Sequence, residues 1–202
     1  MDFRPSPLVG CALGQEVTAL RRYGGRPCRF VATGLGARRT SASLTRLFEK
    51  ERPPFFIFTG TAGQLDPDRS MGEVLLPRFW SFEDGQRFAA GLELLDGQAE
   101  SGWSVCEMGL TVAKPVFRPQ TRLHLFRHQG ASICDLESAA VLQTAARFGI
   151  PCLAPKVVSD TAESGMTGFY TEFSANLKKL ARYLDRLLDH LAAHGPHASS
   201  SS

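Results

Sequence analysis

The stretch Cys134 to Asp160, CDLESAAVLQTAARFGIPCLAPKVVSD, constrains the fold more than any other part of the chain. Ala139, Ala140, Val141, Leu142, Ala145, Ala146 and Phe148 recur at helical spacing, and the segment stops at Gly149 with Pro151 close behind. Short apolar runs flank it, Ala131 to Cys134 before and Leu153 to Val158 after. Strand, helix, strand is the economical reading, and a right-handed crossover sets two such strands parallel. Asp135 and Glu137 are then expected to emerge with Ser159 and Asp160 at the carboxyl edge of one sheet, where open α/β sheets bind ligands.

The rest of the chain repeats this alternation. Leu8 to Leu13 reads as a strand, followed by a glycine turn and a helix that opens near Glu16, where an acid complements the helix dipole. Cys28 to Thr33 alternates as a strand and Thr40 to Lys50 reads as a helix. The Gly34-Leu35-Gly36 turn between them lacks the third glycine and the distal acid of a dinucleotide site. Phe55 to Phe58 is a continuous apolar run of the kind a buried parallel strand shows, and Thr59 to Gly63 is expected to be a small-residue loop. That loop is either a tight turn or a place where backbone N–H groups approach a ligand closely. Without a GK[ST] sequence it is not a triphosphate loop.

Met71 to Pro77 and Gly109 to Ala113 read as further strands, with an irregular or hairpin region over Glu83 to Gly102. Thr121 to His128 reads as a short helix whose His124 and His128, one turn apart, are surface histidines rather than half of a metal site. Thr171 to His194 is the clearest helix, with Leu177, Leu180, Leu184, Leu187, Leu188 and Leu191 on one face. The aromatic pair Phe169-Tyr170 precedes it, placed either to pack in the core or to reach a ligand.

At 202 residues and 43% hydrophobic content, the chain suits one sizeable core. The expectation is a single-domain, three-layer α/β/α fold with a central mixed sheet over residues 8–194, followed by a polar tail over 195–202. A net charge of +3 with scattered arginines gives no nucleic-acid footprint. No run approaches the roughly 18 apolar residues of a membrane span. The apolar patch near the start is too short and Pro-interrupted for a secretory signal. Five cysteines without a CxxC pair read as reduced thiols of a cytoplasmic protein.

Taken together and in order, Thr59-Gly60-Thr61-Ala62-Gly63-Gln64-Leu65-Asp66-Pro67, Met71-Gly72-Glu73-Val74, Asp135-Leu136-Glu137-Ser138-Ala139-Ala140, Gly149-Ile150-Pro151 and Val158-Ser159-Asp160 resemble the purine and uridine phosphorylase and nucleosidase family. The methylthioadenosine/S-adenosylhomocysteine nucleosidase branch and the hopanoid-associated nucleosidase-like proteins look nearest, and Gly109 to Val116 echoes their central segment. The resemblance implies that Glu137 holds the ribose hydroxyls, with Leu136 under the sugar where relatives commonly carry Met. It implies that Asp160 engages purine N7 and protonates the leaving base, that Glu16 activates water, and that Thr61, Ala62 and Gly63 lie beside the ribose and the nucleophile. Ser159 and Phe169 complete the expected binding residues.

The implied reaction is hydrolysis of a purine nucleoside, a 5′-substituted adenosine, with no metal or organic cofactor and with a homo-oligomer, dimer or higher, as the working form. Phe58 stands where the phosphorylases of the family usually carry an Arg for phosphate, which leans the reading toward water. Phosphorolysis stays open through Arg38 and Arg39, as does a member that binds nucleoside without turnover. The region Glu83 to Glu107 is shorter than the family pattern, and Lys156 stands where the nucleosidase branch tends to have Arg.

Overall fold

The computed structural model describes residues 7–95, 103–161 and 164–194. Four parallel strands form a first sheet in the order β2 (Arg29–Ala32), β1 (Leu8–Cys11), β3 (Phe56–Phe58), β9 (Cys152–Leu153). The second sheet runs β10 (Lys156–Asp160), β4 (Gly60–Gln64), β8 (Ile133–Asp135), β7 (Val105–Thr111), β5 (Val74–Phe82), β6 (Arg87–Ala89). An added pairing of β10 with β5, at Lys156 with Leu75 and Val157 with Val74, closes part of it into a barrel.

The two sheets are continuous through two chain bends. β3 leads through Thr59 into β4, and β9 leads through Ala154 and Pro155 into β10, so each apolar run serves both sheets. Thr59 Oγ1 donates to the Pro155 carbonyl at 2.9 Å and ties the two bends together. At the first bend Gly60 has φ 149°, and a Cβ there would stand 2.6 Å from Glu16 Oε1, so glycine is required on both counts.

Helices cover both faces, giving the three-layer α/β/α arrangement. On one face α2 (Ala37–Lys50) packs against α4 (Ser138–Arg147), burying Leu44, Phe48, Val141, Leu142 and Ala145 against Phe56 and Phe58. On the other, α1 (Gly14–Tyr23) packs against α5 (Gly165–His194). The leucines of α5 from Leu177 to Leu191 are buried there with Val17, Leu20, Ile57 and Val157. α5 starts at Gly165, ahead of the Thr171 read from its apolar face, and α3 (Pro119–Gln129) lies on the surface beside the second sheet.

Four expectations are corrected. The Cys134 to Asp160 stretch is not a parallel βαβ unit: α4 returns the chain to β9 in the other sheet, and β8 runs antiparallel to β4 while β10 runs parallel to it. Leu153 to Val158 is two strands parted by the bend at Ala154-Pro155. Thr59 to Gly63 is largely strand, because β8 and β10 pair with it on both sides and supply the ladder partners its small side chains do not predict. The strand read at Met71 to Pro77 begins at Val74 and continues to Phe82, carrying Trp80 into the core. The hairpin expected after it is the turn at Gly85 into β6, a 3₁₀ turn follows at Leu92–Leu95, and residues 96–102 lie outside the described residues.

Trp80 is fully buried, and Gly109 on the paired strand β7 makes room for it: a Cβ at Gly109 would come within 2.7 Å of the indole. G109A should therefore destabilise the protein by about 1–3 kcal/mol through overpacking, measured as a lower midpoint of urea unfolding at unchanged slope.

Candidate active site

The registers of three strands, rather than a shared carboxyl edge, bring the acids together. Gly63 on β4 pairs with Cys134 on β8 at one side and with Asp160 on β10 at the other. The β10 register slips between Val158 and Asp160, and a bulge of this kind re-aims side chains at the end of a strand. Ser159 and Asp160 then line the same cavity, of about 350 Å³, as Asp135 at the end of β8 and Leu136 and Glu137 in the turn after it. Glu16 from α1 and Thr61, Ala62 and Gly63 from β4 complete one wall. Val112, Pro115, Val116 and Phe117 form an apolar wall opposite. The volume suits a small organic ligand.

Asp135 organises the turn. Its carboxylate accepts from Thr111 Oγ1 (2.9 Å), from the backbone N–H groups of Glu137 and Ser138, and from Ser138 Oγ (2.5 Å), so it serves as the side-chain cap of α4. The same carboxylate meets Lys156 Nζ at 3.2 Å, with both side chains 2% exposed. Lys156 also sits 4.0 Å from the centroid of the Phe58 ring, a desolvated cation–π contact.

Glu16 and Glu137 are buried acids held by hydrogen bonds. Glu16 Oε2 accepts the Leu13 N–H (3.0 Å), the helix-capping part of its role, while Oε1 accepts the N–H (3.1 Å) and hydroxyl (3.3 Å) of Thr61. Burial raises the Glu16 carboxyl above its usual range, against the opposing pull of Lys156 and these donors. Glu137 Oε1 accepts the Gly36 N–H at 2.7 Å. Burial first and the charge of Asp135 second push the Glu137 carboxyl up to about 7, although Lys156 and the Gly36 N–H draw it down.

Asp160 occupies the other end. Ser159 Oγ donates to its Oδ1 at 2.9 Å and also lies 3.2 Å from the Ala62 carbonyl. Arg122 of α3, 1% exposed, pairs with Oδ2.

The residues singled out from sequence, Glu16, Thr61, Ala62, Gly63, Leu136, Glu137, Ser159 and Asp160, thus all line one cavity. Phe169 falls in the first turns of α5, and its side chain lies outside the described residues; its neighbour Tyr170 reaches the rim. Arg38 and Arg39 are exposed on α2 and are not among the described lining residues. His124 and His128 are exposed, and among the described residues no group of three His, Cys, Asp or Glu side chains could hold a metal. Sequence reasoning missed Arg122 entirely and noticed Lys156 without assigning it a task. A lysine inside the apolar run Leu153 to Val158 was the available signal for the second, whereas nothing set Arg122 apart from its exposed neighbours Arg118 and Arg127.

A family model described as the phosphorylase superfamily matches residues 99–193. The 5′-methylthioadenosine/S-adenosylhomocysteine nucleosidase of Staphylococcus epidermidis is 26% identical over 167 residues, covering 70% of this chain and 72% of the relative. The fold matches the Helicobacter pylori 5′-methylthioadenosine/S-adenosylhomocysteine nucleosidase crystallised with butyl-thio-DADMe-Immucillin-A, with a TM-score of 0.78 at 16% identity, over 92% of this chain and 99% of that one. It also matches the futalosine hydrolase of Helicobacter pylori, with a TM-score of 0.78 at 17% identity, over 91% and 98%.

A carboxyl raised from the ordinary 4.5 to about 7 keeps its proton in the folded state where the unfolded chain has lost it. The stability this proton supplies is present at low pH and is lost as pH rises through the folded value. Between pH 5 and pH 8 the wild-type protein should therefore lose on the order of 2–3 kcal/mol relative to E137Q, measured by urea unfolding at both pH values. A constant gap between the two proteins would show that Glu137 titrates alike folded and unfolded.

Proposed function

We propose that the chain is a member of the phosphorylase superfamily, whose model matches residues 99–193, and that it is a nucleosidase that hydrolyses the N-glycosidic bond of a 5′-substituted adenosine. The observation that carries this reading is the charge of the cavity: its described lining holds four carboxylates, Glu16, Asp135, Glu137 and Asp160, against one cation, Lys156. Lys156 is already committed to Asp135, and Phe58, at the position of the family's phosphate-binding Arg, is a buried ring beneath that lysine. A phosphate dianion entering here would meet four acidic side chains and, among the described lining residues, no free cation to receive it. Water carries no such penalty, and the positive charge that develops on a sugar losing its base is favoured by the same field.

In this reading the ribose hydroxyls donate to Glu137, which fixes the ring above Leu136. Glu16, made more basic by its burial, takes a proton from water as the water oxygen bonds to C1′. The C1′–N9 bond breaks with its electron pair passing to the purine, and Asp160 delivers a proton to N7, so the base leaves neutral. Ser159 suits both states of that acid: its single hydroxyl proton can point at Asp160 Oδ1 or turn to the Ala62 carbonyl. The two-carboxylate division of labour is that of glycoside hydrolysis by water.

Among the described residues, Leu35 (51% exposed), Phe117 (43%) and Tyr170 (68%) are the large hydrophobic side chains that remain exposed, and all three stand among the lining residues of the cavity. Such a collar suits an apolar 5′ substituent. A homo-oligomer in which a second copy covers this mouth, and a cytoplasmic setting in keeping with five free cysteines, belong to the same reading. No described helix is long and apolar enough to cross a membrane.

The test is base release from 5′-methylthioadenosine with and without phosphate. The expected outcome is adenine and the free 5-substituted ribose at a rate indifferent to phosphate, with E16Q and D160N each reducing kcat by about 10²-fold or more. Release that requires phosphate and yields a ribose 1-phosphate would overturn hydrolysis.

A further inference from the structure

We propose that Arg122 is a positioning residue for the base-leaving step, acting through Asp160; the inference rests on the nucleosidase reading above. Arg122 is the single buried residue of α3. Its Nη1 donates to the carbonyls of Gln64 (2.9 Å) and Asp160 (3.1 Å), and its Nη2 pairs with Asp160 Oδ2. One planar fork thus grips both the backbone and the side chain of the acid at the bulge that ends β10. The guanidinium is not among the cavity-lining residues, so it reaches a ligand only through Asp160.

Two consequences follow from that grip. Oδ2 is occupied by Arg122, which leaves Oδ1, the oxygen beside Ser159 Oγ, as the one from which Asp160 serves the base. Once the proton has passed to N7, the carboxylate left behind is stabilised by a charge that was in place beforehand and need not reorganise. Arg122 also links the acid to the apolar wall. α3 follows directly on the segment carrying Val112, Pro115, Val116 and Phe117, so the same residue sets the distance between the surface that would cradle the purine and the group that would protonate it.

A burial cost argues against a mere tether. A surface helix can be anchored by a leucine, whereas a buried guanidinium is expensive unless each of its donors is matched, and Arg122 Nε has no partner among the described residues. The cation is kept where an apolar side chain would anchor the helix as well, directly behind the acid that changes charge during the reaction.

The experiment compares wild type, R122K and R122M on 5′-methylthioadenosine and on the matching 5′-methylthio 4-nitrophenyl riboside, whose phenolate leaves without a proton. On the nucleoside, R122M should lose about 10²-fold in kcat with KM changed by only a few-fold, and R122K should fall between R122M and wild type. Both variants should cleave the nitrophenyl riboside near the wild-type rate. Equal losses on the two substrates, a loss confined to KM, or no loss at all would each overturn the proposal. If R122M does not fold, R122K decides by the same comparison, since an ammonium keeps the charge but cannot span three acceptors. Wild-type protein inert on every nucleoside would remove the nucleosidase reading and this inference with it, whereas active wild type with an indifferent R122K removes the inference alone.

Discussion

The ion pair between Lys156 and Asp135 is the contact on which the rest of the site depends. Two charges taken out of water cost several kcal/mol each unless their remaining hydrogen-bonding capacity is met. Here it is met on the Asp135 side by Thr111, by Ser138 Oγ and by two backbone N–H groups, while the Lys156 ammonium also lies against the face of Phe58. The pair therefore joins β10 to the turn after β8, and with it the cap of α4. Glu137 lies inside that cap, so this cavity-lining acid takes its position from a carboxylate two residues earlier rather than from its own contacts alone. The removal of either partner would leave an uncompensated buried charge, the costly way to break such a pair.

The site lies at the bends because strands that serve two sheets must turn. β3 into β4 and β9 into β10 run side by side through both sheets, and the residues past each bend, Thr61 to Gly63 on one and Ser159-Asp160 on the other, face the cavity. Gly60 lets Glu16 approach the first bend. Gly63 stands in the same relation to Asp160: a Cβ there would lie 3.3 Å from Asp160 Oδ2 and 3.5 Å from Cys134 Sγ. Small residues in this stretch are thus demanded by neighbouring acids and not by a turn, which is why the loop reading of Thr59 to Gly63 failed while the residues it picked out proved to line the cavity.

Element type and order were legible wherever the pattern was periodic or continuously apolar, as in α4, α5 and the run Phe55 to Phe58. Strand direction was not legible around Asp135 and Asp160. Periodicity carries no information on which sheet receives a strand, and the return of the chain from α4 into the other sheet is a tertiary choice. The acids were visible because each follows an apolar run, and a carboxylate in such a position needs a reason. Arg122 was invisible for the opposite reason: α3 is otherwise exposed or half-buried, so its one buried charge leaves no apolar stripe to read.

The two buried cations divide the site. Lys156 pairs with Asp135 and Arg122 pairs with Asp160, so neither cation is available to an incoming anion. Glu16 and Glu137 have no ion-pair partner of their own among the described residues, and burial raises both carboxyls although Lys156 and their hydrogen-bond donors draw them down. Under the proposed hydrolysis, a neutral sugar approaching them would meet groups poised to hold a proton, and a sugar gaining positive charge at C1′ would meet groups that ionise more readily the further that charge develops. The preference would therefore grow along the reaction coordinate of that proposed reaction. Interactions that strengthen toward the transition state raise the rate instead of merely tightening binding. Burial of Glu16 and Glu137 without private cations is thus the feature that would convert an electrostatic cost of folding into rate.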